Sequence, residues 1–268
     1  MYILVVLGGK VLENANELLI INNDKISERK YKGNLSIKKI YIGKDVKKIG
    51  AEAFSMCSNL ESIEVDEDNQ WFTSGNGCNA IIDKNGTLLV GCYKTVIPEF
   101  VTAIGPFAFC GQTKLQTITF PSHIRRVGAF AFDGCSGLVE LTIEKDVEKI
   151  GEYCFKNCLN FETINLPNAQ IDIDASIFGV APFNWDDMEI SLDEWMDEEP
   201  ITPECKGVLN IYFDGTLEEY FGDGDFVEDY LSCSSIEATR VIYVHCKDGI
   251  LKHDKWGFTK NNPANKAL

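Results

Sequence analysis

Ten cysteines and three histidines are the side chains best suited to chemistry in this 268-residue chain. Their spacing limits what that chemistry is. Cys57, Cys135 and Cys158 recur in one kind of local pattern, which marks them as small, adaptable core residues. Cys154 and Cys158 share a face at i, i+4 if their segment is helical, but no second pair stands at a zinc spacing. The cysteines therefore predict no metal site. Cys78 and Cys92 flank a turn signal nearly opposite each other. A bridge between them in an oxidising compartment depends on a strand register that the sequence leaves open. His123, His245 and His253 have no Cys, Ser or Asp in a recognisable catalytic arrangement beside them. His123 is expected to be exposed at a turn and His245 to be structural. The run GDGDFVED (Gly222–Asp229) gathers oxygen ligands, but it lacks the 12-residue loop ending in Glu of an EF-hand calcium site.

YFDGTL (Tyr212–Leu217) is similar to the Asp-x-Asp-Gly-Thr loop of haloacid-dehalogenase-like phosphatases except at its first position. Tyr212 stands where that loop carries its nucleophile, and a phenol cannot form the aspartyl phosphate. The stretch is read instead as a strand ending in a glycine turn. Neither enzyme nor cofactor is expected.

Charge excludes further classes. The net charge is −16, which disfavours binding of nucleic acid through phosphate neutralisation and attraction to an anionic membrane surface. No apolar run reaches the ~20 residues that a spanning helix needs, so no membrane insertion is expected. Residues 186–229 hold 16 acidic side chains against one base, Lys206, and so carry nearly all of the imbalance. With Trp185, Trp195 and Met196 nearby, they read as an acidic excursion, either solvated or a docking element for a basic partner. The apolar opening Met1–Leu7 lacks a basic n-region and a cleavage site. If Met1 is the native start, a cytoplasmic protein is expected; a removed leader would make it a cell-surface or secreted one. Oligomeric state is not legible.

The strongest signal is repetition. VEKIGEYCFKNCLNFETINLP from Val147 is preceded at 23-residue steps by copies from Ile124 and Val101; Val46 and Asn23 open two more. In each full copy Ile49, Ile104, Val127 or Ile150 leads into a glycine. Phe54, Phe109, Phe132 or Phe155 follows five residues later, which predicts a short helical turn. Leu60-x-x-Ile63-x-Val65 and its equivalents then alternate with strand periodicity. One coil cannot bury its own apolar face, whereas stacked coils place Ile over Ile and Phe over Phe. The longer spacing between Val46 and Val101 holds Asp83-Lys84-Asn85-Gly86 between apolar runs, which predicts a coil enlarged by a hairpin.

The consensus Val-x-x-Ile-Gly-x-x-Ala-Phe-x-x-Cys-x-x-Leu-x-x-Ile-x-Ile-Pro resembles the BspA-like leucine-rich repeat, best at Val46–Asp66 and Ile124–Glu144. The Val101 copy departs by placing its cysteine at Cys110, with Gln112 at the usual position. The resemblance implies an α/β solenoid: a right-handed coil stack with a parallel sheet of short strands and short helical or irregular segments opposite. It implies repeats over 23–178 with the enlarged coil at about 67–100 and a closing module over 207–268; the need to cover the first coil makes 1–22 a cap, and composition makes 179–206 an acidic insertion. The family is known for recognition with varied ligands and offers no shared catalytic residues. The leading expectation is a non-catalytic scaffold that binds another protein. The alternative is a surface adhesin for host or carbohydrate ligands. The candidate binding face is the set of outward strand residues: Lys39, Tyr41, Ser62, Glu64, Thr117, Thr119, Glu140, Thr142, Thr163 and Asn165. Tyr41 is their one aromatic, and the acidic residues Asp186–Asp229 compete as the binding element.

Overall fold

The computed structural model describes residues 17–167, 172–173, 207–216, 240–247, 249–254 and 257–261, with two short strands at 5–7 and 10–12. They form a β-solenoid. The repeat phase read from the sequence is the structural pitch: Lys39 pairs with Ser62, Arg126 with Lys149 and Glu140 with Thr163, each 23 residues on.

Each coil has three walls. The first is a parallel strand on a sheet face, where Leu18–Ile21, Lys39–Ile42 and Ser62–Val65 lie side by side. The second is a two-residue strand, as in the parallel ladder Ala103–Ile104, Arg126–Val127, Lys149–Ile150, Asp172–Ile173. The glycine after this strand is required by close approach. A Cβ on Gly50 would lie 2.3 Å from the backbone nitrogen of Glu28, and one on Gly128 would lie 2.5 Å from that of Pro106.

The third wall corrects the expected helical turn. Among the described residues there is no helix. Arg29, Glu52, Phe107, Phe130 and Tyr153, one per coil, adopt φ of 53–60°. Four residues further on, Gly33, Met56, Gly111, Gly134 and Asn157 are left-handed as well. Two such residues in five break any α-helix. Alternate N–H groups instead reach the next coil: Phe107, Phe109 and Gly111 donate to the carbonyls of Ala129, Ala131 and Asp133 at 2.7–3.1 Å. The next junction repeats this from Phe130, Phe132 and Gly134 to Glu152, Cys154 and Lys156.

The phenylalanines stack as expected. Phe109 and Phe155 lie 5.1 and 5.6 Å from Phe132, and Tyr31 lies 5.4 Å from Phe54, which fixes the phase of the degenerate first copy. The left-handed positions build a second ladder, Phe107–Phe130–Tyr153, at 5.0 and 4.9 Å. The recurrent cysteines have a polar task in addition to packing. The thiols of Cys57, Cys135 and Cys158 donate to the carbonyls of Tyr31, Phe109 and Phe132 one coil away, at 3.1, 3.1 and 3.2 Å.

The enlarged coil contains the expected hairpin. Ala80–Asp83 pairs antiparallel with Thr87–Gly91, and Thr87 and Leu88 pair in parallel with Ala103 and Ile104. Both faces of this hairpin are buried. Ile82 and Leu88 join one apolar cluster, which runs to Ile211 and Phe213; Ile81 and Val90 join another, which runs back to Ile21. Cys78 and Cys92 are buried, free thiols.

Candidate functional site

The candidate side chains follow from strand alternation. In Lys39–Ile42, Ile40 and Ile42 are buried while Lys39 is exposed and Tyr41 half-buried; in Glu140–Thr142, Leu141 is buried and its two neighbours are exposed. All ten candidates keep this orientation, but they do not form one ruled surface. Lys39 beside Ser62 and Tyr41 beside Glu64 lie on the first sheet. Thr117, Glu140 and Thr163 make a row on the other sheet, with Thr142 beside Asn165 and Thr119 two residues on from Thr117. The hairpin coil stands between the two groups and contributes no strand to either sheet.

On the second sheet the rows continue beyond the candidates. Gly207–Phe213 pairs in parallel with Thr163–Leu166, and Arg240–Cys246 pairs with it in turn. Thr163 is thereby followed by Asn210 and Tyr243, and Asn165 by Tyr212 and His245. Sequence reasoning missed these four because the chain between Leu166 and Gly207 breaks the 23-residue phase. The available signal was the alternation in Asn210-Ile211-Tyr212-Phe213, where Ile211 and Phe213 are buried and Tyr212 is 45% exposed. YFDGTL accordingly begins in a strand that ends at Phe213.

The two halves differ in chemistry. Tyr41 is committed within the chain: its hydroxyl donates to Asp66 Oδ2 at 2.6 Å, an interaction that pushes its pKa up to about 12 and lowers that of Asp66. On the second sheet the Tyr212 ring stacks on His245 at 4.4 Å, and His245 Nε2 lies 3.1 Å from Asn210 Oδ1. Partial burial lowers the His245 pKa. Asn165 Nδ2 donates to Thr142 Oγ1 at 3.1 Å. A concavity of about 570 Å³ along the carboxyl ends of these strands is lined by Thr142, Asn165, Tyr212, His245 and Lys247, among others. It presents hydroxyls, amides and ring edges beside the charges of Glu144, Lys145, Asp214 and Lys247, which suit hydrogen bonding and aromatic contact. Among the described residues no group of three or more His, Cys, Asp or Glu side chains could hold a metal ion. The acidic residues 186–206, the Gly222–Asp229 run and the His253 side chain lie outside the described residues.

Comparison with known proteins agrees with the coil architecture. Six copies of the BspA type leucine rich repeat region match at residues 18–76 and 91–185, more than half of the chain. Among solved structures, a leucine-rich repeat protein from Eubacterium ventriosum is 20% identical with a TM-score of 0.50, over 77% of this chain and 49% of that one. A leucine rich cell surface protein from Faecalibacterium prausnitzii is 23% identical with a TM-score of 0.42, over 55% of this chain and 46% of that one. The pneumococcal vaccine antigen PcpA is 13% identical with a TM-score of 0.38, over 86% and 59%. The chain thus spans about half the length of the first two structures. No curated protein matches. With its repeats matched over most of the solenoid, the chain belongs to the BspA-type leucine-rich repeat family.

Proposed function

We propose that this protein is a non-catalytic recognition scaffold that binds a partner protein on its second sheet face. The observation that carries the reading is the pair of in-register rows that run through Asn210 and Tyr243 and through Tyr212 and His245. Extended repeat faces of this kind serve binding, and tyrosine is favoured at interface hot spots. Tyr212 supplies the exposed ring that Tyr41, tied to Asp66, does not. Lys39, Tyr41, Ser62 and Glu64 form a separate, smaller patch that contributes less.

The immobilised protein, screened against a displayed protein library, tests the reading. Binders are re-measured against a Thr119→Lys, Thr142→Lys, Tyr212→Ala variant with its fold intact. Affinity falls at least about tenfold and changes little with salt, because few charges are involved. Unchanged affinity removes the face as the site, and a steep loss with salt transfers the site to the acidic residues. A second reading, an adhesin at the cell surface that holds a carbohydrate, is favoured by the exposed Tyr212 ring near the Asn165 amide; a glycan array with the same variant tests it.

A further inference from the structure

The turn wall is interrupted at the enlarged coil, away from the sheet face. At a regular junction three alternate N–H groups of one coil meet three carbonyls of the next, as Arg29, Tyr31 and Gly33 meet Ala51, Ala53 and Ser55. The junction across the enlarged coil keeps one such rung. Met56 N–H donates to the Cys110 carbonyl at 2.8 Å, and the Ala108 carbonyl takes the N–H of Gly91 from the hairpin instead. The N–H groups of Glu52 and Phe54 and the carbonyl of Pro106 have no backbone partner among the described residues. The two coils, joined at Met56 and Cys110, splay around a wedge-shaped cavity of about 250 Å³.

Leu89, Val90, Phe54 and Phe107 are among the residues that line the wedge. Gln112 lines it too, in the repeat position that holds cysteine elsewhere. The longer side chain spans the widened junction, and its Nε2 donates to the Cys57 carbonyl at 3.1 Å. Gln112 is 1% exposed, yet its Oε1 has no hydrogen-bond partner among the described residues. A buried acceptor and the buried donor at Phe54 without partners are costly to leave so. They also define what fits: a group that accepts from two N–H groups spaced i, i+2 on one side and donates to an amide oxygen nearby. Polypeptide backbone supplies such alternating acceptors and donors, as the turn wall of the neighbouring coil does at every regular junction.

We propose that the wedge between Gly50–Ser55 and Pro106–Gln112 binds a short extended peptide of small residues, which completes the interrupted ladder of the turn wall. At about 250 Å³ the cavity leaves room for a short stretch of backbone only if its side chains are small. Entry is past Ala51 and Pro106, both exposed.

The test is an amide-resonance titration of the whole protein with acetyl-Ala-Gly-Ala-amide. The Glu52 and Phe54 amides shift saturably and gain protection from exchange. Gln112→Met weakens binding about tenfold, the value of one hydrogen bond. Because that variant also loses the bond to Cys57, Ala51→Phe, which plugs the mouth from an exposed position, is the second arm; it abolishes the shifts without lowering the melting temperature. The proposal is overturned if the Glu52 and Phe54 resonances do not move, if they move equally in Ala51→Phe, or if only Thr142 and Tyr212 respond. The last result would leave the sheet-face reading standing.

Discussion

The thiol of Cys135 donates to the carbonyl of Phe109, one coil away, across 3.1 Å. Both residues are fully buried, and this weak bond adds a second donor to a carbonyl that also accepts from the Gln112 N–H at 3.0 Å. Burial also holds the Cys57 and Cys135 thiols above the ordinary thiol pKa, far above for Cys135. A protonated, enclosed thiol is a poor nucleophile. Thiol labelling of native protein is therefore slow at Cys57, Cys135 and Cys158 and rapid after denaturation; rapid native labelling of Cys135 contradicts its place in the core.

Phe132 lies between Phe109 and Phe155 and is fully buried. Phe132→Ala leaves a cavity inside a continuous stack and costs about 3–5 kcal/mol. A denaturant melt measures this, and a midpoint equal to that of the parent protein rules out the stacking phase.

Gly111 and Gly134 occupy equivalent left-handed positions, with φ of 79° and 72°. A Cβ on Gly134 would meet nothing nearer than 3.5 Å, so Gly134→Ala carries only the backbone penalty of about 1–2 kcal/mol. A Cβ on Gly111 would sit 2.4 Å from the Cα of Met56, where the two coils meet. Gly111→Ala is expected to cost more than Gly134→Ala by about 1–3 kcal/mol, the usual penalty of overpacking. Equal losses in paired urea melts argue against direct contact of these coils.

Glu52 is buried on the turn wall, where Arg29 Nη2 donates to its Oε1 at 2.7 Å and Lys32 pairs with Oε2. The Arg29 hydrogen bond leads the effects that hold its pKa below the usual carboxylate range, aided by Lys32 against the opposing effect of burial. A carboxylate with a lowered folded-state pKa stabilises above its unfolded value of about 4.3, and that stabilisation is lost as pH falls through the lowered value. Stability measured against pH declines on this acid limb, and Glu52→Gln flattens the decline. An unchanged slope contradicts the ion pair.

Much of the solenoid was legible because stacking makes equivalent positions identical in kind. Ile26, Tyr31 and Ile173 fall in phase although their copies have lost the glycine and cysteine, since each still meets its counterpart one coil away. The turn wall was not legible. A phenylalanine at φ 57–60° has no sequence signature, and at Phe107 and Phe130 the inter-coil ladder overrides the local preference for right-handed backbone. The candidate face was legible in orientation, through strand alternation, but not in extent. The hairpin coil divides it, and the Asn210–His245 extension follows a stretch without the repeat period.

The hairpin with two buried faces separates the solenoid into compartments whose lengths are independent. Ile81 and Val90 close one compartment, while Ile82 and Leu88 begin the other. A duplication or deletion of one 23-residue unit not adjoining the hairpin coil is expected to change its own side alone and to leave the packing across the partition intact. The extent of the second sheet face can therefore be altered by whole coils, between Ile124 and Leu166, without disturbing the register of the coils that begin the chain.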